Sequence, residues 1–108
     1  MPSEPLDSSN VVGRRMRSRR EELGWSQEKV GVLIGIDESS ARARISRYEV
    51  GTHEPPVETA RLIAHVLGVP LAYLYCDEED VATLLKGLAA QSVSQQKAIV
   101  TRWLQGLR

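Results

Sequence analysis

From Val12 almost to the C-terminus, apolar residues recur at the spacing of one helix face, and glycine or proline closes most runs before the next begins. That punctuation permits only short helices, each with one apolar stripe to bury against its neighbours. Val12, Met16 and Leu23, with the aliphatic stem of Arg19, mark a first helix that ends near Gly24. Ser26 is a good N-cap for a second helix from Gln27 to about Ile34, and Gly35 suits the sharp turn after it. A third helix begins between Asp37 and Ser40, each an acceptable cap, and runs to Val50, where Gly51 and then Pro55-Pro56 stop it. The fourth, from about Val57 to Leu67, sets Ala60, Ile63, Ala64 and Leu67 on one side, and Pro70 opens a short fifth from Leu71 to Tyr75.

Beyond Cys76 an acidic start precedes Val81, Leu84, Leu85 and Leu88, again at helical spacing. Ser92-Val93-Ser94-Gln95 reads as a capping box for a last helix, whose stripe is Ile99, Val100, Trp103, Leu104 and Leu107. Nowhere do β-branched residues alternate cleanly with polar ones, so the fold class is all-α. The expected organisation is a disordered tail over 1–10, a helical domain over 11–76, and a C-terminal helical hairpin over 77–108.

The 108 residues carry a net charge of zero, which excludes strong overall attraction to a polyanion. The charge is unevenly placed. Arg14, Arg15, Arg17, Arg19 and Arg20 cluster on the first helix, Arg42, Arg44 and Arg47 on the third, and acids gather at Asp77-Glu78-Glu79-Asp80. Cys76 is the only cysteine, which excludes an internal disulfide, and His53 and His65 lack metal-ligand spacing with it. No nucleophile motif or glycine-rich phosphate loop is present, so neither enzyme, metal nor cofactor is expected. With no apolar run of membrane length and no leader pattern, a cytoplasmic location is the expectation.

The informative segment is Ser26 to Gly51, SQEKVGVLIGIDESSARARISRYEVG: two helices around a glycine-containing turn, the second basic on one side. Gly31 allows a close helix crossing, while Ile36, Ile45 and Tyr48 supply apolar support under the turn and the second helix. By periodicity Ala41, Ile45 and Tyr48 point inward, Arg42, Ala43, Ser46 and Arg47 outward, and Arg44 lies on the flank.

Here the chain resembles the Cro/repressor-type (xenobiotic-response-element-like) helix-turn-helix regulators. The resemblance runs from about Val12 to Leu74, through VGRRMRSRREELGWSQ, SQEKVGVLIGI, ISRYEVG and LIAHVLGVPLAYL. It implies a five-helix lambda-repressor-like domain that reads double-stranded DNA in the major groove. It further implies that Arg42, Ala43, Ser46 and Arg47 meet base edges, where an arginine fork on guanine is worth about 1–3 kcal/mol of discrimination. Arginines restricted to phosphate remain the alternative. Gln27 matches a phosphate-binding position, and Ser39, Ser40, Arg44, Arg14, Arg15 and Arg17 are further candidates for phosphate. Arg20 and Glu49 match a structural ion pair between the first and third helices. The chain departs from the family between Gly35 and Ile45, which stand about one helical turn further apart than usual. The extra residues either lengthen the reading helix or enlarge the turn.

Two-fold operators require two copies, so the resemblance implies a palindromic site and a homodimer. The stripe Ile99, Val100, Trp103, Leu104 and Leu107 is the candidate dimer surface; burial against the chain's own core is the competing expectation. A transcriptional repressor is the leading function. An antitoxin holding a protein partner on the C-terminal helix, and an adaptor that no longer reads DNA, are the alternatives.

Overall fold

A computed structural model describes residues 10–108, which form seven helices and no strand. They are α1 (Val11–Glu22), α2 (Gln27–Leu33), α3 (Glu38–Val50), α4 (Val57–Leu67), α5 (Leu71–Leu74), α6 (Glu79–Ala89) and α7 (Val93–Gly106). Of the tail expected over 1–10, residues 1–9 lie outside the described residues. Asn10 is the N-cap of α1, and its amide Nδ2 donates to the Glu49 carbonyl at 3.3 Å.

The core of α1–α5 joins the marked stripes of α1, α3 and α4 to Val30 of α2 and Tyr73 and Leu74 of α5, while Leu33 of α2 is exposed. Met16, Val30, Ile45, Ile63, Leu67 and Leu74 are fully buried, joined by Val12, Ala60, Ala64 and Tyr73. At about 1.5–3 kcal/mol for each large aliphatic side chain removed from water, these residues are the main stabilising term. Local chemistry sets the helix ends. Ser26 Oγ accepts from the Lys29 N–H at 3.0 Å, and Ser92 with Gln95 closes the capping box at the start of α7. Gly51 ends α3 in a left-handed conformation, its N–H donating to the Arg47 carbonyl.

The C-terminal helices attach differently. Only Ala82 of α6 is buried, with Leu85 half-buried against the core, and α7 buries no residue at all. Between the two helices lies a groove lined by Leu84, Leu88, Ile99 and Trp103. The α7 stripe therefore does not fold back onto the chain's own core. Among the described residues no helix is long and apolar enough to cross a membrane.

Candidate nucleic-acid interface

The turn between α2 and α3 is tight. Gly35 donates to the Val32 carbonyl at 3.0 Å and Ile36 to the Gly31 carbonyl at 2.9 Å, with Gly35 at φ 96, where a side chain would be strained. Asp37 caps α3, accepting from the Ser39 N–H at 3.1 Å and from the Ser39 hydroxyl. The Ser39 hydroxyl, then its backbone N–H, hold the Asp37 carboxyl below its ordinary value.

Because α3 starts at Glu38, the additional residues are helical: they add a turn to the reading helix rather than enlarge the loop. The added turn takes part in the helix crossing. Ala41 meets Gly31, where a Cβ on the glycine would lie 2.6 Å from the Ala41 Cβ and 2.9 Å from its Cα. Ile45, one turn further on, is fully buried beneath. An insertion of four residues nearly preserves helical phase, so the outward face survives it. Arg42, Ala43, Arg44 and Arg47 are exposed along that face, with Ser39 and Ser40 at its start and Ser46 half-buried within it.

Arg42 borders a shallow hollow together with Arg17, Arg20, Ser26, Gln27 and Glu28. Arg44 and Arg47 border another with Tyr48, His53 and Glu54. Arg17 is exposed and pairs with Glu21 at 3.1 Å, a surface contact that a phosphate can replace at little cost. Arg14 is exposed on α1.

Arg15 is a correction. The sequence makes it a candidate for phosphate, but it is 4% exposed and its guanidinium is spent on Cys76, Asp77 and Glu79. The signal was available. Arg15 follows Val11 by four residues and Val12 by three, which places it on the buried face of α1.

Arg20 and Glu49 form the ion pair, with Nε to Oε2 at 2.7 Å and Nη2 to Oε1 at 3.0 Å, their side chains 12% and 3% exposed. The Glu49 hydrogen bonds raise Arg20 above its ordinary pKa against the opposing effect of burial. Arg20 Nη1 also donates to the Trp25 carbonyl at 2.9 Å, so α1, the first turn and α3 are joined through one guanidinium. Gln27 was expected at phosphate, yet its Nε2 donates to Glu49 Oε1 at 3.0 Å, which leaves part of its amide for any other contact.

Sequence reasoning missed two features of this face. His53 and Glu54 stand beside Arg44 and Arg47, a closeness that depends on how the chain turns after Gly51. Glu28 of α2 meets Glu38 of the added turn. Hydrogen bonding to Glu38, and then its charge, raise the Glu28 pKa, while Arg42 acts in the opposite direction. No alignment of spacings shows that pair, because it spans the α2–α3 crossing.

The crystal structure of the transcriptional regulator BswR superposes with a TM-score of 0.78 at 38% identity, covering 87% of this chain and 92% of that one. An uncharacterized HTH-type transcriptional regulator of Sinorhizobium medicae is 38% identical over 66 residues, 61% of this chain and 45% of that protein. The transcriptional repressor RstR of the cryptic phage CTXphi in Vibrio cholerae is 37% identical over 69 residues, 64% of this chain and 59% of that protein. The matched segment thus spans about half the length of these curated relatives. Residues 16–74, more than half of the chain, match the helix-turn-helix family HTH_3, and with its lambda-repressor-like helical domain this chain belongs to that family.

Proposed function

We propose that this protein is a transcriptional regulator, a repressor, that binds a palindromic double-stranded DNA site in the major groove as a homodimer. The observation that carries the reading is the outward row of exposed Arg42, Ala43 and Arg47 with half-buried Ser46, on a helix braced from behind by Gly31, Ile45 and the Arg20–Glu49 pair. A rigid helix with arginine forks on its free face suits the guanine edge. Phosphate anchoring falls to Gln27, Ser39, Ser40, Arg44, Arg14 and Arg17, with Arg15 withdrawn. RstR, described as a phage transcriptional repressor, supports the sign of regulation.

Dimerisation through Ile99, Val100, Trp103, Leu104 and Leu107 is supported by the openness of α7. Trp103 is 42%, Leu104 50% and Leu107 82% exposed, an apolar stripe that a lone chain leaves in water. The same openness suits a different protein partner, as in an antitoxin. Selection from a random duplex library at near-physiological salt, followed by binding stoichiometry, tests the proposal. A palindrome bound by two chains is expected; failure of folded protein to enrich any sequence overturns DNA reading. A stable one-to-one complex with another protein, and no self-association, overturns the homodimer.

A further inference from the structure

The arginine withdrawn from the reading surface points to the joint between the five-helix domain and α6. Arg15 Nε donates to the Cys76 carbonyl at 2.9 Å, Nη2 to the Asp77 carbonyl at 3.4 Å, and Nη1 to Glu79 Oε1 at 3.0 Å. Its Cζ lies 5.8 Å from the centre of the buried Tyr73 ring. One planar fork therefore grips consecutive pieces of the chain where α5 has ended and α6 begins. Five donors in a fixed plane can do this; a flexible ammonium cannot.

A second tie reaches the other end of α6. Lys86 Nζ bonds Glu22 Oε2 at 2.5 Å, and Glu22 Oε1 also accepts from Arg19 Nη1 at 3.2 Å. Arg19 in turn donates from Nε to the Leu67 carbonyl at 2.8 Å. Both ties start on α1, which the Arg20–Glu49 pair fastens to α3. Separate polar contacts thus tie α1 to the reading helix and to both ends of α6. The apolar contribution to holding α6 is small: Ala82, with help from Leu85.

We propose that Arg15 with Glu79, and Lys86 with Glu22, set the angle at which the C-terminal arm leaves the reading domain, and so the half-site spacing that the dimer accepts. The inference rests on the dimeric reading above. In a two-fold dimer joined through α7, the separation and relative rotation of the two α3 helices follow from that angle. The DNA is an exacting ruler: one base pair more shifts a half-site by about 3.4 Å and turns it by about 35°. Arg15 acts here as a positioning residue and touches no DNA.

The test measures affinity for a single half-site, and for paired half-sites whose spacing is changed by one and two base pairs, alongside the melting temperature. Wild type is compared with Arg15→Met and with Glu79→Ala/Lys86→Met. Arg15→Met leaves part-buried carbonyls without their donor and carries a folding risk. The double variant leaves Arg15 and the core in place, because the Glu79 and Lys86 side chains are 78% and 27% exposed.

Wild type is expected to prefer one spacing by about tenfold or more over its neighbours, an effect of the size of one mismatched base pair. The variants are expected to keep half-site affinity within about twofold while the spacing preference falls to about threefold or less. A merely structural role lowers the melting temperature and leaves the spacing preference intact. That result in the double variant, and in Arg15→Met if it folds, overturns the proposal. If wild type never places two chains on paired half-sites, the dimeric reading itself fails and this inference falls with it.

Discussion

Glu49 gathers more of the reading surface than any residue that faces outward. Its carboxylate accepts from Arg20 and Gln27, and its carbonyl accepts from Asn10. Removing it strands a guanidinium that is 12% exposed. Glu49→Ala is therefore expected to cost about 3–5 kcal/mol in urea unfolding, with the Arg20→Met/Glu49→Met double variant losing less than the two single changes added together. At the surface, position separates arginines of one chemistry. Arg47→Ala is expected to lower specific binding by about 1–3 kcal/mol and to relax preference at one base pair. Arg17→Ala is expected to weaken specific and non-specific DNA alike and to reduce the salt slope by about one. Equal signatures from Arg47→Ala and Arg17→Ala in salt titrations would sink the division between reading and anchoring.

The reading helix depends on two narrow tolerances. At the Gly31–Ala41 crossing there is no room for a methyl group, and the obstacle includes the Ala41 backbone. Gly31→Ala is expected to destabilise by about 1–3 kcal/mol and to tilt α3, so affinity falls even below the melting transition; calorimetry paired with DNA titration separates the two effects. At the start of α3 the Asp37 cap titrates. Its folded pKa is depressed by Ser39, so the charged cap stabilises α3 above the ordinary carboxylate range of about 4, and that contribution is lost as pH falls through the folded value. Melting temperatures taken down an acid series are expected to decline less steeply for Asp37→Asn, which keeps an acceptor and cannot protonate. An unchanged acid limb would remove Asp37 from the account.

For the whole molecule, α7 is the element that buries none of its residues. Since it contributes no residue to the chain's own core, a chain ending at Gln91 is expected to keep the helical signature and melting temperature of the five-helix domain. Its two-fold DNA complex is expected to be lost. Trp103→Asp in the full chain asks the same question without truncation, and sedimentation at micromolar concentration distinguishes monomer from dimer. A Trp103→Asp protein that still dimerises would place the interface elsewhere.

Sequence alone determined what is decided locally. Ser26, Ser92 and Gly51 marked helix ends because a cap is satisfied within a few residues, and Ala41, Ile45 and Tyr48 marked the buried side of α3 because 3.6-residue periodicity is a property of one helix. What tertiary structure decided is whatever depends on two elements meeting. Arg15 sits on a legible buried face, but only the approach of the α5–α6 joint supplies carbonyls and a carboxylate to receive its charge. Glu28 and Glu38 lie ten residues apart in sequence and become neighbours only across the α2–α3 crossing. The α7 stripe looks the same in sequence whether it is core or interface; that it stays largely open, with Leu84 and Leu88 of α6 beside Ile99 and Trp103, is a fact of the fold, because burial is a relation between surfaces.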